Sequence, residues 1–204
     1  MSYIIWIDEA WRGPWAWPVC AGAVLFLKWP KIRELKKQLD DSKRLSKIKR
    51  QAIFDQIVRA ENSWFLVFGF WMATNVEIDN IWIKKANKLA MDRALKNIEE
   101  KIPIPKQLKI LIDWKDWYIF PAYSSECESI VRWDSKIDEI KAASIIAKVK
   151  RDLLMEDMDK RYPWYNFNLN CWYWTKAHQD ALKLIWICEI HRKSFKPIKN
   201  LLIL

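Results

Sequence analysis

Short apolar runs alternate along this chain with longer segments in which apolar residues recur at helical spacing. The short runs are typical of strands buried in a sheet, and the longer pattern is typical of helices that bury one face. Strands that alternate with helices favour an α/β fold, because each helix can cover the sheet that the neighbouring strands form. The sequence therefore predicts a mixed central sheet flanked by helices.

The predicted elements follow this alternation along the chain. Strands are predicted at Tyr3–Ile7, Val19–Leu27, Trp64–Phe70, Leu108–Ile112 and Ser129–Arg132. Helices are predicted from a cap at Ser46 to about Arg59, and at Asn75–Glu100, Lys136–Lys160 and Thr175–Ile187. In the first helix we expect an apolar stripe at Ile48, Ala52, Ile53 and Ile57. Because the sequence has no internal repeat or clear linker, we expect residues 1–204 to form a single domain, with a small helical subdomain at about 157–204.

The tryptophan and glycine contents are unusual. The chain holds 15 Trp and only 3 Gly, whereas glycine averages about 7% of residues in ordinary proteins. Many tryptophans lie in turn-like segments such as Asp113–Trp117 and Trp172–Thr175, where glycine is the usual residue because it tolerates positive φ. We therefore interpret most of them as glycines of the living protein, produced by reading a UGA codon with the wrong genetic code. A genuinely tryptophan-rich protein is the alternative.

The charge balance points to a polyanionic partner. The chain has 35 Lys and Arg against 25 Asp and Glu, a net charge of +10. Nucleic acid is the first partner to consider, although a solvated basic surface would give the same excess. The four cysteines, Cys20, Cys127, Cys171 and Cys188, lack the close pairs of a zinc site or a disulfide framework. No segment has the apolar length of a membrane span and no secretory leader is recognised, so a cytoplasmic protein is expected.

Acidic residues follow several predicted strands. Asp8 and Glu9 follow the first strand, Asp113 follows the fourth, and Asp134 comes shortly after the fifth. Side chains at the ends of neighbouring strands gather at one edge of an α/β sheet, and four carboxylates meeting there need cations to relieve their repulsion. Hard oxygen ligands suit Mg²⁺ or Mn²⁺, and two such ions can activate water for attack on a phosphodiester. We therefore predict a site for two divalent ions.

The histidines do not suggest a different chemistry. His178 and His191 have no serine or cysteine partner at the spacing of a known catalytic motif. A structural or phosphate-contacting role is therefore expected for both.

The segments around the acidic residues resemble the motifs of ribonuclease HII. Ile7–Pro14 reads I-D-E-A-W-R-G-P and Ala16–Val19 reads A-W-P-V, which is similar to the family's opening D-E-A-G-R-G-P and A-G-P-V. Further matches are Asp41–Ser46, Leu111–Trp114, Trp133–Lys136, Ala142–Val149 with Arg151-Asp152, Tyr162–Tyr165, Trp172–Thr175 and His191–Phe195. The resemblance spans nearly the whole chain.

This resemblance implies an RNase H-like fold with a small C-terminal helical segment. It also implies cleavage of the RNA strand of RNA/DNA hybrids and nicking on the 5′ side of ribonucleotides embedded in duplex DNA, as in ribonucleotide excision repair. The products would carry 5′-phosphate and 3′-hydroxyl ends, and a monomer is expected. By motif position, the catalytic and metal-binding residues would be Asp8, Glu9, Asp113 and Asp134.

The resemblance further implies a set of substrate-binding residues: Trp11, Arg12, Gly13, Ser42, Lys43 and Tyr173. The first three occupy the family's G-R-G loop, whose backbone amides can approach a 2′-hydroxyl in the minor groove. Tyr173 would meet the sugar at the RNA–DNA junction, and Ser42 and Lys43 would contact phosphates. Trp11 departs from the family's glycine, and Cys171 stands where the family often has a basic residue.

Two other interpretations stay open at this point. Ribonuclease HIII shares the fold but usually carries an additional N-terminal substrate-binding domain, whereas this chain starts at the catalytic strand. A non-catalytic nucleic-acid-binding protein would be expected to lose one or more of the acidic residues, and all four are present.

Overall fold

The computed structural model describes residues 4–10, 12–104, 108–112, 127–129, 138–165, 167, 173 and 175–203. Among these residues, five strands form one sheet in the order β3-β2-β1-β4-β5. They are β1 (Ile4–Ala10), β2 (Val19–Phe26), β3 (Leu66–Ala73), β4 (Lys109–Ile112) and β5 (Cys127–Ser129). β2 runs antiparallel to β1 and β3, and β4 runs parallel to β1 and β5. The predicted mixed sheet is confirmed.

The helices flank this sheet. They are α1 (Arg33–Gln38), α2 (Lys47–Asn62), α3 (Asn75–Glu99), α4 (Asp138–Arg161), α5 (Lys176–Ile185) and α6 (Lys196–Leu201), with 3-10 turns at Trp29–Ile32 and Pro163–Tyr165. The start of α2 is fixed by Ser46, whose hydroxyl accepts the Lys49 N–H. The start of α3 is fixed by a capping box, in which Thr74 and Glu77 each accept the other's backbone N–H.

Residue alternation along the strands divides the core into two layers. Ile5 and Ile7 pack with the apolar side of α3, whereas Trp6 and Leu111 pack with α2 and α4 on the other face. A third apolar cluster joins the loop between β1 and β2 to the C-terminal segment, because Trp15 and Ala16 pack there with residues of α5 and α6. The structure thus has the predicted RNase H-like arrangement of layers with a small C-terminal helical segment. The subdomain boundary near residue 157 stays a prediction.

The buried face of α2 differs from the predicted stripe. Ile53 and Ile57 are buried as expected, together with Phe54, but Ile48 is 82% exposed and Ala52 is exposed as well. With about 3.6 residues in a turn, Ile48 and Ala52 lie roughly on the opposite side of the helix from the other two. The prediction for these two residues was wrong because the apolar residues of this segment occupy both sides of the helix, and the sequence does not state which side meets the core.

Several predicted boundaries also change. The third strand is shifted toward the C-terminus, at Leu66–Ala73, and Ser129 is the one residue that β5 shares with its predicted strand, while residues 130–132 lie outside the described residues. The predicted helix Thr175–Ile187 is shorter, because Thr175 is its cap and Trp186 has positive φ. The short helices α1 and α6 were not predicted, since six residues give too few turns to produce a periodic pattern.

Tryptophans occupy the left-handed backbone positions of the described chain. The described non-glycine residues with positive φ are Trp17, Trp64, Trp82 and Trp186. Trp64 follows the cap of α2, where its N–H bonds the Glu61 carbonyl and the next N–H bonds that of Ala60. This is the helix-ending motif in which glycine is the usual residue. Trp82 (φ 66°, ψ 152°), which interrupts α3, and Trp186 (φ 67°, ψ −164°) lie in a region that is otherwise almost confined to glycine.

Two buried histidines organise the C-terminal segment. His178 on α5 and His191 are both 0% exposed, and their Nε2 atoms are 3.1 Å apart. Burial lowers the pKa of His178, and it lowers the pKa of His191 to about 4, with a further contribution from the charge of His178. Both rings are therefore neutral at physiological pH.

Within the described residues, each helix is too short or too polar to cross a lipid bilayer.

Replacing exposed tryptophans at positive φ by glycine is expected to stabilise the protein. The changes Trp64→Gly, Trp82→Gly and Trp186→Gly each relieve backbone strain of about 1–3 kcal/mol, partly offset by the greater freedom of glycine in the unfolded chain. We expect each to raise the free energy of unfolding by about 1 kcal/mol in urea titrations. As a control, Trp6→Gly removes a buried strand residue and should lower it by roughly 3–5 kcal/mol. Destabilisation by all three changes would contradict the interpretation of these positions as glycine positions.

Acidification below neutral pH is expected to destabilise the protein through the buried His191. His191 has a pKa of about 4 in the folded chain and 6.5 as its ordinary value, so the unfolded chain binds the proton first. The stabilising contribution is complete above about pH 6.5 and is lost as the pH falls toward 4, up to about 3 kcal/mol for this residue. Urea titrations between pH 7 and pH 4 measure this loss.

The groups that face this pair do not titrate in the same window. Burial raises the pKa of Cys188 to about 11, and it also raises the pKa of Tyr165, whose ring lies 5.2 Å from that of His191. NMR of the imidazole C–H signals should show the His191 ring neutral at pH 5 and the pKa of His178 below its ordinary value. Titration of His191 near pH 6.5 would rule out this explanation.

Candidate active site

Asp8 and Glu9 lie near the carboxyl end of β1, at the centre of the sheet. They are residues of the strand itself, because β1 continues to Ala10, and they do not follow it as predicted. Asp8 is 9% exposed, and its Oδ1 accepts the Glu9 N–H at 2.8 Å. Successive strand residues point to opposite faces, so Asp8 belongs to the face that carries Trp6 and α4, and Glu9 to the face of α3.

The register of β1 and β4 aligns two acidic positions of the sequence. Ile7 pairs with Ile112 across this parallel contact, and each is followed directly in the sequence by an aspartate, Asp8 and Asp113. Asp113 and Asp134 lie outside the described residues, as does Trp11. The described part of the chain brings no three His, Cys, Asp or Glu side chains into a metal-binding group, and only two of the four proposed ligands belong to that part.

Helix α4 approaches the sheet very closely beside Asp8. Gly22 is the partner of Asp8 on β2, and a Cβ atom at Gly22 would lie 2.5 Å from the Ala143 carbonyl oxygen and 2.9 Å from the Ala147 nitrogen. No side chain larger than hydrogen fits there, so the backbone of α4 lies against the strand. The small residues Ala142, Ala143 and Ala147 are buried in this contact. The close packing gives Asp8 a rigid surrounding.

The loop that follows β1 is bound from behind by Arg192. This side chain is 0% exposed, and its guanidinium donates to three backbone carbonyls, those of Trp17 (2.8 Å), Arg12 (3.0 Å) and Pro18 (3.1 Å). The Arg192 N–H also donates to the Trp15 carbonyl at 2.7 Å. Burial lowers the pKa of Arg192 to about 9, so the guanidinium is still protonated at neutral pH. Arg192 therefore fixes the backbone conformation of residues 12–18.

Two of the sequence-predicted substrate-binding residues meet at this loop. A Cβ atom at Gly13 would lie 3.3 Å from Cε1 of Tyr173, so the ring packs directly against the glycine backbone. Tyr173 is 46% exposed, and Arg12 and Gly13 are exposed as well. The structure thus brings together residues that are far apart in the sequence and leaves them open to a ligand.

The two residues predicted to contact phosphate have different surroundings. Ser42 is 2% exposed, and its hydroxyl is 2.8 Å from that of Ser144 on α4. Lys43 is exposed, and its N–H is held by the Asp41 carboxylate. Arg50 donates to the Ser42 carbonyl and forms an ion pair with Asp152 of α4. Ser42 is thus buried in the loop between α1 and α2, whereas the side chain of Lys43 extends from that loop.

Positive charge is concentrated beside the same loop. Burial lowers the pKa of Lys148 on α4, and the charges of Arg151, Arg50 and Lys43 lower it further, against a smaller opposite effect of Asp152. Lys43 therefore lies near three other cationic side chains, those of Lys148, Arg151 and Arg50. Crowded cations of this kind are stabilised by a bound anion.

The sequence predicted a structural or phosphate-contacting role for His178 and His191, but it revealed neither their contacts nor the role of Arg192. Arg192, His178 and His191 are fully buried and contact both ends of the chain, which no local pattern shows. The one available signal was the segment His191–Phe195 among the matched motifs. A buried arginine or histidine without a local partner is a reason to look for such a role.

Comparison with known proteins agrees with this geometry. The family model described as Ribonuclease HII matches residues 5–198. A protein named Ribonuclease HII from Borreliella burgdorferi is 41% identical over 192 residues, covering 94% of this chain and 98% of that protein. A protein of the same name from the Wolbachia of Brugia malayi is 39% identical over 194 residues, covering 95% of this chain and 88% of that protein.

Solved structures share the fold. The ribonuclease H2 of Pyrococcus horikoshii superposes with a TM-score of 0.77 at 22% identity, covering 97% of this chain and 96% of that one. A ribonuclease HIII, Bst-RNase HIII in complex with Mn²⁺, gives a TM-score of 0.66 at 16% identity, and the match covers 99% of this chain but 70% of that one. The chain therefore belongs to the ribonuclease HII family, and it is a hydrolase with ribonuclease H endonuclease activity.

Proposed function

We propose that this enzyme hydrolyses the RNA strand of RNA/DNA hybrids and nicks duplex DNA on the 5′ side of embedded ribonucleotides. The products would carry 5′-phosphate and 3′-hydroxyl ends, as in ribonucleotide excision repair. The observation that carries this proposal is the pairing of Ile7 with Ile112, because it aligns the strand positions that precede Asp8 and Asp113. Side chains near the carboxyl ends of neighbouring parallel strands converge at one edge of a sheet.

The proposed metal-binding and catalytic residues are Asp8, Glu9, Asp113 and Asp134. The ribonuclease H family depends on divalent metal ions, and we propose Mg²⁺ or Mn²⁺ here, with two ions per site. The described residues fit this role, because Asp8 and Glu9 offer oxygen ligands on a central strand that close packing keeps rigid. When bound, the ions would supply the charge that activates a water molecule and stabilises the leaving oxygen. The carboxylates hold the site in place, and no covalent intermediate with the protein is needed.

Ribose recognition is proposed for the loop 11–13 and Tyr173. Sensing a 2′-hydroxyl requires groups that approach the minor groove closely, and exposed backbone near Gly13 meets this requirement. The Tyr173 ring, which packs on Gly13, offers a flat surface to the neighbouring sugar. Trp11 and Arg12 complete this proposed loop.

Phosphate contacts are proposed for Lys43 and Ser42. Lys43 is exposed and lies among the cations that lower the pKa of Lys148, which supports an anion-binding role. The Ser42 hydroxyl can accept from Ser144 while it donates to a phosphate, and the bond between the two serines also holds the loop. Contacts with phosphates provide affinity without reading the base sequence.

The alternatives are less well supported. A non-catalytic binding protein is not favoured, because the relatives with about 40% identity are named as ribonucleases. The family model is that of ribonuclease HII, and the match with Bst-RNase HIII covers 70% of that protein. We further propose a single catalytic domain that acts as a monomer in the cytoplasm. The free thiols of Cys20 and Cys188 agree with a reducing compartment.

Cleavage of a duplex with one ribonucleotide tests the proposed function. In Mg²⁺ or Mn²⁺ we expect the protein to nick this duplex on the 5′ side of the ribonucleotide and to leave the matching all-DNA duplex intact. Asp8→Asn and Asp134→Asn should each lower the rate by more than about 100-fold, because losing a ligand harms a metal site more than losing one of its outer partners. Binding of the duplex should be largely retained, since phosphate contacts provide most of the affinity. Labelled strands on denaturing gels and fluorescence anisotropy measure the two effects.

Asp55→Asn is the matched control, because it removes one carboxylate from the exposed side of α2. It should leave both cleavage and binding at the wild-type level. Full activity in either Asp8→Asn or Asp134→Asn, or equal cutting of the all-DNA duplex, would refute the proposal.

We also propose that most tryptophans of this chain are glycines in the living protein. This is supported by the backbone, because the described non-glycine residues with positive φ are all tryptophans. It is further supported by Trp64, which completes a helix-ending motif that favours glycine. A glycine at position 11 would restore the loop that is proposed to sense ribose.

The intact mass of protein purified from its native organism decides this point. We expect the mass to fall short of the value calculated from the 15 Trp sequence by the difference between the two residues at most of these positions. Sequencing of the coding DNA should place UGA at the affected codons. A native mass that agrees with 15 tryptophans would end the proposal.

A further inference from the structure

The candidate ribose-sensing site has two parts, the loop with Arg12 and Gly13 and the side chain of Tyr173. The buried residues His191 and Arg192 lie behind it. Arg192 binds the loop that carries Arg12 and Gly13, through the carbonyls of Arg12, Trp17 and Pro18. The planar fork of a guanidinium can reach three carbonyls in different directions, whereas the ammonium group of a lysine is a compact point charge. The conformation of this loop therefore depends on an arginine at position 192.

His191 is connected to the other part of the site, Tyr173, through His178. The Tyr173 carbonyl can only accept, so Nδ1 of His178, 3.2 Å away, carries a proton. In the neutral ring Nε2 of His178 then accepts from Nε2 of His191 at 3.1 Å. Nδ1 of His191 then carries no proton and accepts the Cys188 N–H at 3.0 Å, although the Cys188 carbonyl is also near, at 3.2 Å. One chain of hydrogen bonds thus runs from residue 188 to Tyr173.

The hydrogen bonds of Arg192 and those of His178 hold the two residues of one contact, Gly13 and Tyr173. The Tyr173 ring packs against Gly13, and the two residues are held separately by His178 and Arg192. His191 and Arg192 are consecutive, and the Ala16–His191 bridge and the bond from Trp17 N–H to the Ile190 carbonyl fix this segment to the loop. Loss of either support would therefore change the position of the ring relative to the glycine backbone.

We infer that His178 and Arg192 are positioning residues that set the spacing between Tyr173 and the Arg12–Gly13 backbone, and so the selectivity for a single ribonucleotide. This inference rests on the proposed function. Neither residue needs to touch the substrate, because both are fully buried. A lone ribonucleotide offers one 2′-hydroxyl, so its recognition requires an accurately placed site, whereas a continuous RNA/DNA hybrid offers a 2′-hydroxyl at every RNA position.

A matched pair of substitutions at His178 tests this inference. Gln places its amide near the position of Nε2 and loses the bond to Tyr173, whereas Asn places its amide near the position of Nδ1 and can keep that bond. We expect His178→Gln to lower the ratio of kcat/KM on the single-ribonucleotide duplex to that on a continuous hybrid by about tenfold. His178→Asn should keep the ratio near the wild-type value, although both changes disturb the buried pair.

A second pair of variants, Arg192→Lys and Asp79→Ala, distinguishes a change in the kcat/KM ratio from a general loss of stability. Arg192→Lys keeps the charge but not the fork, and it should lower the same ratio by about tenfold. Asp79→Ala is the control, because the Asp79 carboxylate accepts the Lys193 and Ser194 N–H groups and so anchors the same segment without touching the loop or Tyr173. It should lower the free energy of unfolding and leave the ratio unchanged. If the ratio is unchanged in both Arg192→Lys and His178→Gln, or falls equally in all four variants, the inference is wrong.

Hydrogen exchange of the wild-type protein gives an independent test if a variant fails to fold. The Trp17 and Arg192 amides, which bond across the loop and the C-terminal segment, should have the same protection relative to their intrinsic exchange rates, because one opening exposes both. Much lower protection at Trp17 than at Arg192 would show that the loop moves without its support, and would overturn the inference. Failure of the wild-type protein to nick the single-ribonucleotide duplex would instead contradict the proposed function. The exchange measurement does not depend on cleavage, so it would still show whether the C-terminal segment supports the loop.

Discussion

The parallel pairing of β1 with β4 is the contact on which the candidate site depends. β1 lies between an antiparallel neighbour, β2, and a parallel neighbour, β4. Two parallel strands end at the same edge of a sheet, so residues that follow them in the sequence are delivered to one place. Antiparallel strands alone would send consecutive strand ends to opposite edges. The change from antiparallel to parallel pairing at β1 therefore decides where acidic side chains can gather.

Close packing of helix against strand keeps that edge rigid. At Gly22 the backbone of α4 occupies the space of a side chain, and at Gly69 the Ala94 carbonyl of α3 does the same on the other face. Two of the three glycines of the chain thus lie where helices press against the sheet. A protein interior this dense has little room to deform, so carboxylates on the central strand are held in a fixed position. Such rigidity is what a metal site needs.

Much of the fold could be predicted from the sequence, and the reasons for the failures are physical. The apolar runs that became β2 and β4 and the long periodic segments that became α3 and α4 were predicted well, because burial of a whole face produces a clear pattern. The stripe of α2 was wrong at Ile48, since periodicity does not state which of two sides meets the core. The break of α3 at Trp82 was not predicted, because positive φ has no sequence signal once glycine is absent.

The site was predictable only where local sequence carries its chemistry. Asp8 and Glu9 could be found from an acidic pair at the end of an apolar run, but the contact between Gly13 and Tyr173 joins distant parts of the chain. The residues that create this contact, Arg192 and His178, act through backbone carbonyls, which every residue possesses. Hydrogen bonds to backbone leave no complementary side chain in the sequence for a pattern to detect. For that reason the supports of a binding loop are revealed by the folded chain, while the groups that meet the substrate can be recognised earlier.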